Sequence, residues 1–427
     1  MNIFLDVIGC RLNQSEVEGY ANVLRALGHQ IVSDPSEADI AIVNTCAVTV
    51  KAAADSRKKL RRAGRKGAGK VVATGCWATL HPGAASSLEG VTNVYANQQK
   101  DNLVADLLKV DKEIIDRLEL VREPVAGERS RTRASIKVQE GCDNHCTYCL
   151  TRLARGRSKS RQLELVQKDI QAALAGGVKE VVLTGVQLGA WGRDFPQPMG
   201  LGDLITHVLK HQELQRIRLS SIEPWDFDPA WLRLWRDTRL CRHLHIPLQS
   251  GSDRILQAMQ RPITIDAYTK LVKLIRQTLP NIALTTDVVA GFPEESVEDF
   301  STSKKLIREI EFSGGHVFTY SPRPGTSAFK MKPRLSTHEA RMRNAELREI
   351  FLLTSDIYRN QFVGKNLEVL WETSKLIKSG VWQLSGLTDN YLRVHSEFIN
   401  DLWNKISVVK VTSSDPNKGL LIGKIIK

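Results

Sequence analysis

Cys142, Cys146 and Cys149 place three thiols within eight residues, in the run Gly-Cys-Asp-Asn-His-Cys-Thr-Tyr-Cys. Iron–sulfur cubanes are usually held by four cysteine thiolates. A site with three leaves one iron without a protein ligand and open to a small molecule, which favours radical chemistry over structural metal. Structural zinc is the rival, but it usually takes two C-x2-C pairs. Here the first spacing is three, and no second pair lies nearby. Three further cysteines, Cys10, Cys46 and Cys76, recur after 36 and then 30 residues, close to one strand-plus-helix unit. Each follows a short apolar run, at Ile3–Ile8, Asp39–Val43 and Val71–Ala73. If these runs are parallel strands, the thiols share the carboxyl edge of the sheet, where ligands bind in open α/β folds. Small cysteines that simply close buried strands are the alternative. Cys241 fits neither group and reads as core.

The elements that must position these thiols follow from periodicity. Gln14–Leu27 and Lys51–Ala63 have helical spacing between the apolar runs. Residues 1–115 therefore read as an open parallel-sheet domain of α/β class. Residues 116–134, charged and interrupted by Pro124 and Gly127, read as a linker. A second α/β run covers 135–360, with strands expected at Ser135–Gln139, Glu180–Thr184, Arg216–Ser220, Leu244–Leu248, Ala283–Val289 and His316–Tyr320. Six βα units make an incomplete (β/α)6 barrel, whose active groups belong on loops after the strands. The Cys142 loop follows the first strand. A helix over Thr337–Asn360 closes this domain, and 361–427 alternates in five short runs that predict a small antiparallel β-barrel.

Composition narrows the setting. No run of about 18 apolar residues occurs, so no membrane span is expected. The start, MNIFLDVIGC, lacks a basic region and reads as a strand instead of a signal peptide. An odd cysteine count in a large chain argues for a reducing, cytoplasmic setting. The net charge of +13 is concentrated: Lys51–Lys70 carries +8 and Arg129–Arg161 carries +7. Such basicity suits a polyanion, nucleic acid first among them, although a solvated helix face and a basic linker would look the same.

With these pieces in order, the chain resembles the methylthiotransferases among radical S-adenosylmethionine enzymes, over nearly its full length. The resemblance rests on Gly9-Cys10-Arg11-Leu12-Asn13-Gln14-Ser15-Glu16, Asn44-Thr45-Cys46-Ala47-Val48-Thr49, Thr74-Gly75-Cys76, Gly141–Cys149 and Ala154-Arg155-Gly156-Arg157. It continues through Leu248-Gln249-Ser250-Gly251-Ser252, Thr286-Asp287 with Gly291-Phe292-Pro293, and Ser321-Pro322-Arg323-Pro324-Gly325-Thr326. It implies two [4Fe–4S] clusters and S-adenosylmethionine. Cys142, Cys146 and Cys149 would hold the cluster that binds the cosubstrate, and Cys10, Cys46 and Cys76 an auxiliary cluster that carries the sulfur. Tyr148, Gly185, Gln187, Gln249 and Gly291 would line the cosubstrate site, with ordinary loop packing as their alternative. No catalytic residue beyond the clusters is implied. The chemistry would be hydrogen abstraction from an inert C–H bond by a 5′-deoxyadenosyl radical, then capture of a methylated sulfur.

The segment Arg218-Leu219-Ser220-Ser221-Ile222-Glu223-Pro224 resembles the branch that methylthiolates N6-threonylcarbamoyladenosine beside the anticodon in tRNA. Glu223 would meet the substrate, as would Arg155 and Arg157. Arg152-Leu153, where the family often has Pro-Tyr, and Trp77-Ala78-Thr79 after the third cysteine depart from the pattern. The alternatives are isopentenyladenosine in tRNA, an aspartate of a ribosomal protein, or a non-enzymatic iron–sulfur RNA-binding protein. The C-terminal barrel resembles a TRAM domain, which implies RNA binding. Trp371, Trp382, Tyr391 and Trp403 would stack on bases or fill its core. A flavodoxin- or ferredoxin-type electron donor and a monomeric state complete the expectation. Because the basic segments would neutralise phosphates, affinity for a tRNA anticodon stem-loop should fall steeply between low and moderate salt in a filter-binding series. A flat profile contradicts phosphate-driven binding.

Overall fold

The computed structural model describes residues 1–123, 132–377 and 380–426. Residues 124–131 of the expected linker, with Arg129 and Arg131 of the second basic segment, lie outside the described residues. The chain forms two compact units, Met1–Asn144 with Cys149–Met199, and His145–Tyr148 with Gly200–Lys427.

The first unit opens with strands β1 (Asn2–Val7), β2 (Gln30–Val32), β3 (Ile40–Thr45), β4 (Lys70–Gly75) and β5 (Val91–Tyr95). All pairs are parallel, in the order β2-β1-β3-β4-β5. Helix α1 (Arg11–Ala26) lays Val17, Tyr20, Ala21 and Leu24 on Ile3, Leu5 and Ile42. Helix α2 (Val50–Arg65) starts where the Thr49 hydroxyl accepts from the Ala52 N–H, and it buries Leu60 and Ala63. Most of its basic side chains are left on the outer face. Both helices are amphipathic, so burial of one face decides which side of the sheet each covers. Farther along, β6 (Arg133–Lys137), a two-residue antiparallel bridge of β7 (Gln139–Glu140) with β8 (Lys159–Ser160), and β9 (Glu180–Thr184) complete this unit, with β6 parallel to β9.

In the second unit, β10 (Arg216–Leu219) bridges in parallel from Ile217 to Leu240, and Ser221 just beyond it bridges to His245 of β11 (His243–His245). From there β11, β12 (Ala283–Ala290) and β13 (Gly314–Thr319) form a parallel sheet in chain order. The six strands expected of this domain are thus present, β6 and β9 in the first unit and β10 to β13 in the second, and the fold is the α/β class expected. The expected strand at Leu244–Leu248 is shorter, His243–His245, because Pro247 brings no N–H to a ladder. The helix over Thr337–Asn360 has the expected bounds, set by a Ser336–Glu339 capping box. Among the described residues no helix is long and apolar enough to cross a membrane.

The last five strands, β14 (Asn366–Leu376), β15 (Trp382–Thr388), β16 (Arg393–Phe398), β17 (Ile406–Asp415) and β18 (Leu420–Ile425), close into a barrel. Its pairs are antiparallel except β16 with β18, which is parallel and closes the ring. Trp371 is fully buried in this core beside Val369, Leu384, Val394 and Val409, so it is a core residue and no stacking platform. Tyr391 is already stacked on His243, with centroids 4.1 Å apart.

Two β10 arginines tie the barrel strands to this ring. Arg216 donates to the carbonyls of Leu387 and Glu368 at 2.9 Å. Arg218, wholly buried, donates to those of Asp389 and Thr388 at 2.9 and 3.1 Å. Removing a buried charge that satisfies two carbonyls leaves both acceptors orphaned. Arg218→Met should therefore cost about 3 kcal/mol of stability in urea unfolding. A cost under about 0.5 kcal/mol, the range of ordinary surface changes, contradicts this role.

Candidate functional site

The register of the first sheet brings its three cysteines together. Val7 pairs with Asn44, Asn44 with Thr74, and Thr45 with Gly75, so β1, β3 and β4 are neighbours that end level. Cys46 and Cys76 follow β3 and β4 directly, and Cys10 follows β1 after Ile8 and Gly9. Gly9 has φ +107°, and a Cβ there would sit 2.7 Å from the Cys46 Sγ. Gly75 has φ +95°, and a Cβ would meet the Thr45 carbonyl at 2.3 Å. Both glycines are forced by conformation and by space. Burial pushes the Cys46 thiol up, and Cys76 and Cys10 add to the shift, while Arg155 opposes it. Asn97 Nδ2 reaches the Cys76 Sγ at 3.7 Å and donates to the Ala154 carbonyl at 2.6 Å.

Beneath the cysteines lies a buried polar hub. The Glu16 carboxylate bonds Lys100 Nζ, Asn44 Nδ2 at 2.9 Å and Arg155 NH1 at 3.1 Å. Arg155 continues to Asn13 and to Glu140 at 2.6 Å. Asn13 Nδ2 holds the carbonyls of Ile8 and Thr45 at 2.8 and 3.1 Å, and these flank Cys10 and Cys46. Burial alone would raise the Glu16 carboxyl, but Lys100, Arg155 and Lys137 pull it far below the usual carboxylate range. The Arg155 side chain is only 2% exposed. Its guanidinium is spent on Glu16, Asn13 and Glu140, which places it in the hub beneath the cysteine loops. Arg157, by contrast, is 84% exposed, paired loosely with Asp143 at 3.3 Å.

Around Cys142, backbone and amide groups define the loop. Gly141, at φ +70°, would place a Cβ 1.9 Å from the Arg157 carbonyl, so no side chain fits. Cys142 Sγ lies 3.4 Å from Gln187 Oε1, which also accepts from the Asp143 N–H at 3.3 Å. Backbone N–H groups of Asn144 and Thr151 point at the sulfurs of Cys142 and Cys149, each at 3.4 Å. Gln139 orders all of this. Its Oε1 accepts from the Gln187 N–H at 2.7 Å, its Nε2 donates to the Glu140 and Gly141 carbonyls, and a Cβ on Gly185 would come within 3.0 Å of its side chain.

In the second unit, Thr147 is pinned by Met259 and Ala328, and Tyr148 meets Phe292 edge-on at 6.3 Å. Gln249, at φ +69°, is bridged to Val288, and Gly291, at φ +73°, would put a Cβ 2.7 Å from Ala340. Glu223 accepts from Arg261 NH2 at 2.7 Å. Burial would lower Arg261, yet Glu223 and its neighbours hold it above the ordinary arginine value. Asn97, Lys100, Gln139 and Arg261 were invisible as site residues in the sequence, since none lies in a local pattern.

Soft sulfur donors at three adjacent strand ends, with N–H donors and a cation beside them, form a donor set that fits an iron–sulfur cluster. Comparison with known proteins agrees. Residues 136–307 match the Radical SAM superfamily, and residues 2–96 match Uncharacterized protein family UPF0004. The threonylcarbamoyladenosine tRNA methylthiotransferase MtaB of Thermotoga maritima is 35% identical, covering 96% of this chain and 94% of that one. The tRNA-2-methylthio-N(6)-dimethylallyladenosine synthase of Clostridium tetani is 29% identical over 96% and 94%. Among solved structures, the radical S-adenosylmethionine methyltransferase TsrM of Kitasatospora setae shares the fold, with a TM-score of 0.58 at 15% identity over 77% and 76% of the two chains. The chain belongs to the methylthiotransferase family of radical S-adenosylmethionine enzymes.

Breaking one arm of a buried charge network strands its partners. Arg155→Met should lower stability by about 3 kcal/mol in urea unfolding, while Arg157→Met should change it by less than about 0.5 kcal/mol. Glu16 has a folded pKa below its unfolded one, so its contribution is present above about pH 4.5 and fades as pH falls toward the folded value. Glu16→Gln should flatten that acid limb of the stability curve. Equal costs for the two arginines, or an unchanged acid limb, contradict the hub.

Proposed function

We propose that the chain methylthiolates N6-threonylcarbamoyladenosine next to the anticodon of tRNA, at C2 of the adenine. The observation that supports the sulfur-inserting reaction most directly is the second cysteine triad on three adjacent strand ends, since radical generation alone needs only the Cys142 loop. Cys142, Cys146 and Cys149 would hold one [4Fe–4S] cluster and Cys10, Cys46 and Cys76 a second. Bound there with S-adenosylmethionine, these groups supply the radical and the sulfur that no side chain can.

The chain's own residues position and shield. Gln139, through Gln187 and Gly185, fixes the loop beside Cys142. Tyr148 and Phe292 form an apolar wall for the cosubstrate. Glu223 and Arg261, paired and largely withdrawn from water, offer polar edges to a base without net charge. The exposed lysines and arginines of α2 and Arg157 would meet phosphates. The 35% match to a threonylcarbamoyladenosine enzyme over nearly the whole chain supports that substrate over isopentenyladenosine. A cytoplasmic enzyme, monomeric and reduced by a flavodoxin- or ferredoxin-type protein, is the setting this reading carries. The domain limits proposed are 1–115, 116–134, 135–360 and 361–427.

Nucleosides from tRNA of a strain lacking the gene should show loss of the 2-methylthio form of threonylcarbamoyladenosine and accumulation of its precursor by mass spectrometry. Re-expression of wild type should restore it, and Cys46→Ala should not. Unchanged tRNA overturns the reading.

A further inference from the structure

One aromatic ring beside Glu223 has no part in the roles above. Trp225 directly follows the segment Arg218–Pro224 that carries the resemblance to the substrate branch. The chain leaves β10 at Leu219 and stays level with β11: Ser221 bridges to His245, and the Ile222 N–H donates to the His245 carbonyl at 3.0 Å. Binding groups of such α/β units lie past the carboxyl ends of their strands. Burial alternates along this stretch. Ile222, Pro224 and Asp226 are buried, while Ser221, Glu223 and Trp225 keep part of their surface in solvent. A short turn over Pro224–Asp226, closed by the Asp226 N–H on the Glu223 carbonyl at 3.0 Å, sets the ring beside the carboxylate. Arg261 locks the two together. Its buried guanidinium lies over the Trp225 ring, 4.6 Å from the centroid. Its NH2 donates to Glu223 Oε2 at 2.7 Å and to the Pro247 carbonyl at 2.8 Å, and its NH1 reaches Tyr148 Oη at 3.5 Å. The ring therefore stands one guanidinium away from the wall assigned to the cosubstrate.

Resting on the threonylcarbamoyladenosine reading, we infer that Trp225 is the platform on which the substrate base stacks, with Glu223 beside it taking an N–H of the urea-type substituent. Arg261 covers one face of the indole, so the base takes the other, and the stack runs guanidinium, indole, base. Bases of single-stranded RNA are commonly read in this way, splayed out on aromatic rings and arginine planes. The ring is held by a cation that is itself fixed by two hydrogen bonds, so it loses little freedom when a base arrives. Glu223 gives Oε2 to Arg261, and its Oε1 has no hydrogen-bond partner among the described residues. A free carboxylate oxygen beside a flat ring suits a base that carries N–H groups at its edge. It does not suit a phosphate, because Arg261 is already neutralised by Glu223 and offers no net positive charge.

The test measures binding of the anaerobically reconstituted full chain to two synthetic anticodon stem-loops by fluorescence anisotropy. One carries N6-threonylcarbamoyladenosine, and the other an abasic nucleotide at the same position. Wild type should bind the first about tenfold more tightly or better, the worth of stacking one base on an aromatic ring. Trp225→Leu should lose most of that preference, and Trp225→Phe, which keeps a ring, should retain most of it. The abasic stem-loop has no base to stack, so all three proteins should bind it equally, which also shows that the variants are folded. A preference in Trp225→Leu equal to that of wild type overturns the inference and leaves the substrate reading standing. An equal loss of affinity for both stem-loops overturns it too, because Trp225 then serves the fold or the phosphate contacts. Failure of wild type to modify the threonylcarbamoyladenosine stem-loop, with turnover of an isopentenyladenosine stem-loop, overturns both the inference and the reading beneath it.

Discussion

A single buried carboxylate, that of Glu16, is the constraint on which the first unit depends. A charge withdrawn from water is tolerable only when it is fully paired, and Glu16 is paired with Lys100, Asn44 and Arg155. Those partners come from separate segments of the chain. Each therefore has to arrive at one point for any to be stable there. Asn13, held in the same network by Arg155, grips the carbonyls beside Cys10 and Cys46. The polar hub thus converts a folding requirement into placement of thiols. This explains why Asn13, Glu16, Asn44 and Arg155 stand in the motifs next to cysteines although none is a sulfur donor.

The two cysteine groups solve different problems. The loop at Cys142 is local, and its shape comes from Gly141 and from the amides of Gln139 and Gln187. Cys10, Cys46 and Cys76 are far apart in sequence, and parallel strands ending level are what brings them together. On the function proposed above, a three-thiol set would leave one metal position open, and two such sets would give the enzyme two places to hold reactants. That pairing would separate sulfur insertion from radical generation alone.

Much of this was legible in the sequence because it was local or periodic. The Thr337–Asn360 helix was legible as one continuous helical stretch. Strands such as Glu180–Thr184 were plain as apolar runs. Edge strands β2 and β5 were not seen, because Gln30–Val32 is three residues long and Val91–Tyr95 is interrupted by Thr92 and Asn93. Helix α1 begins at Arg11, three residues before its expected start, since Cys10 already takes the extended cap conformation. The place of Arg155 in the hub was not legible: a basic residue in a basic segment gives no sign that its partners are Asn13 and Glu16, about 140 residues away. Lys100 escaped for the same reason, as its partners Glu16 and Asn44 are met only through the tertiary fold.

The measurement that bears most directly on two cooperating cysteine sites is the iron and sulfide content of anaerobically purified protein. Wild type should hold about eight irons and eight sulfides per chain, and a Cys10/Cys46/Cys76→Ala variant about four of each. About four irons in wild type, unchanged by that triple substitution, would contradict the account.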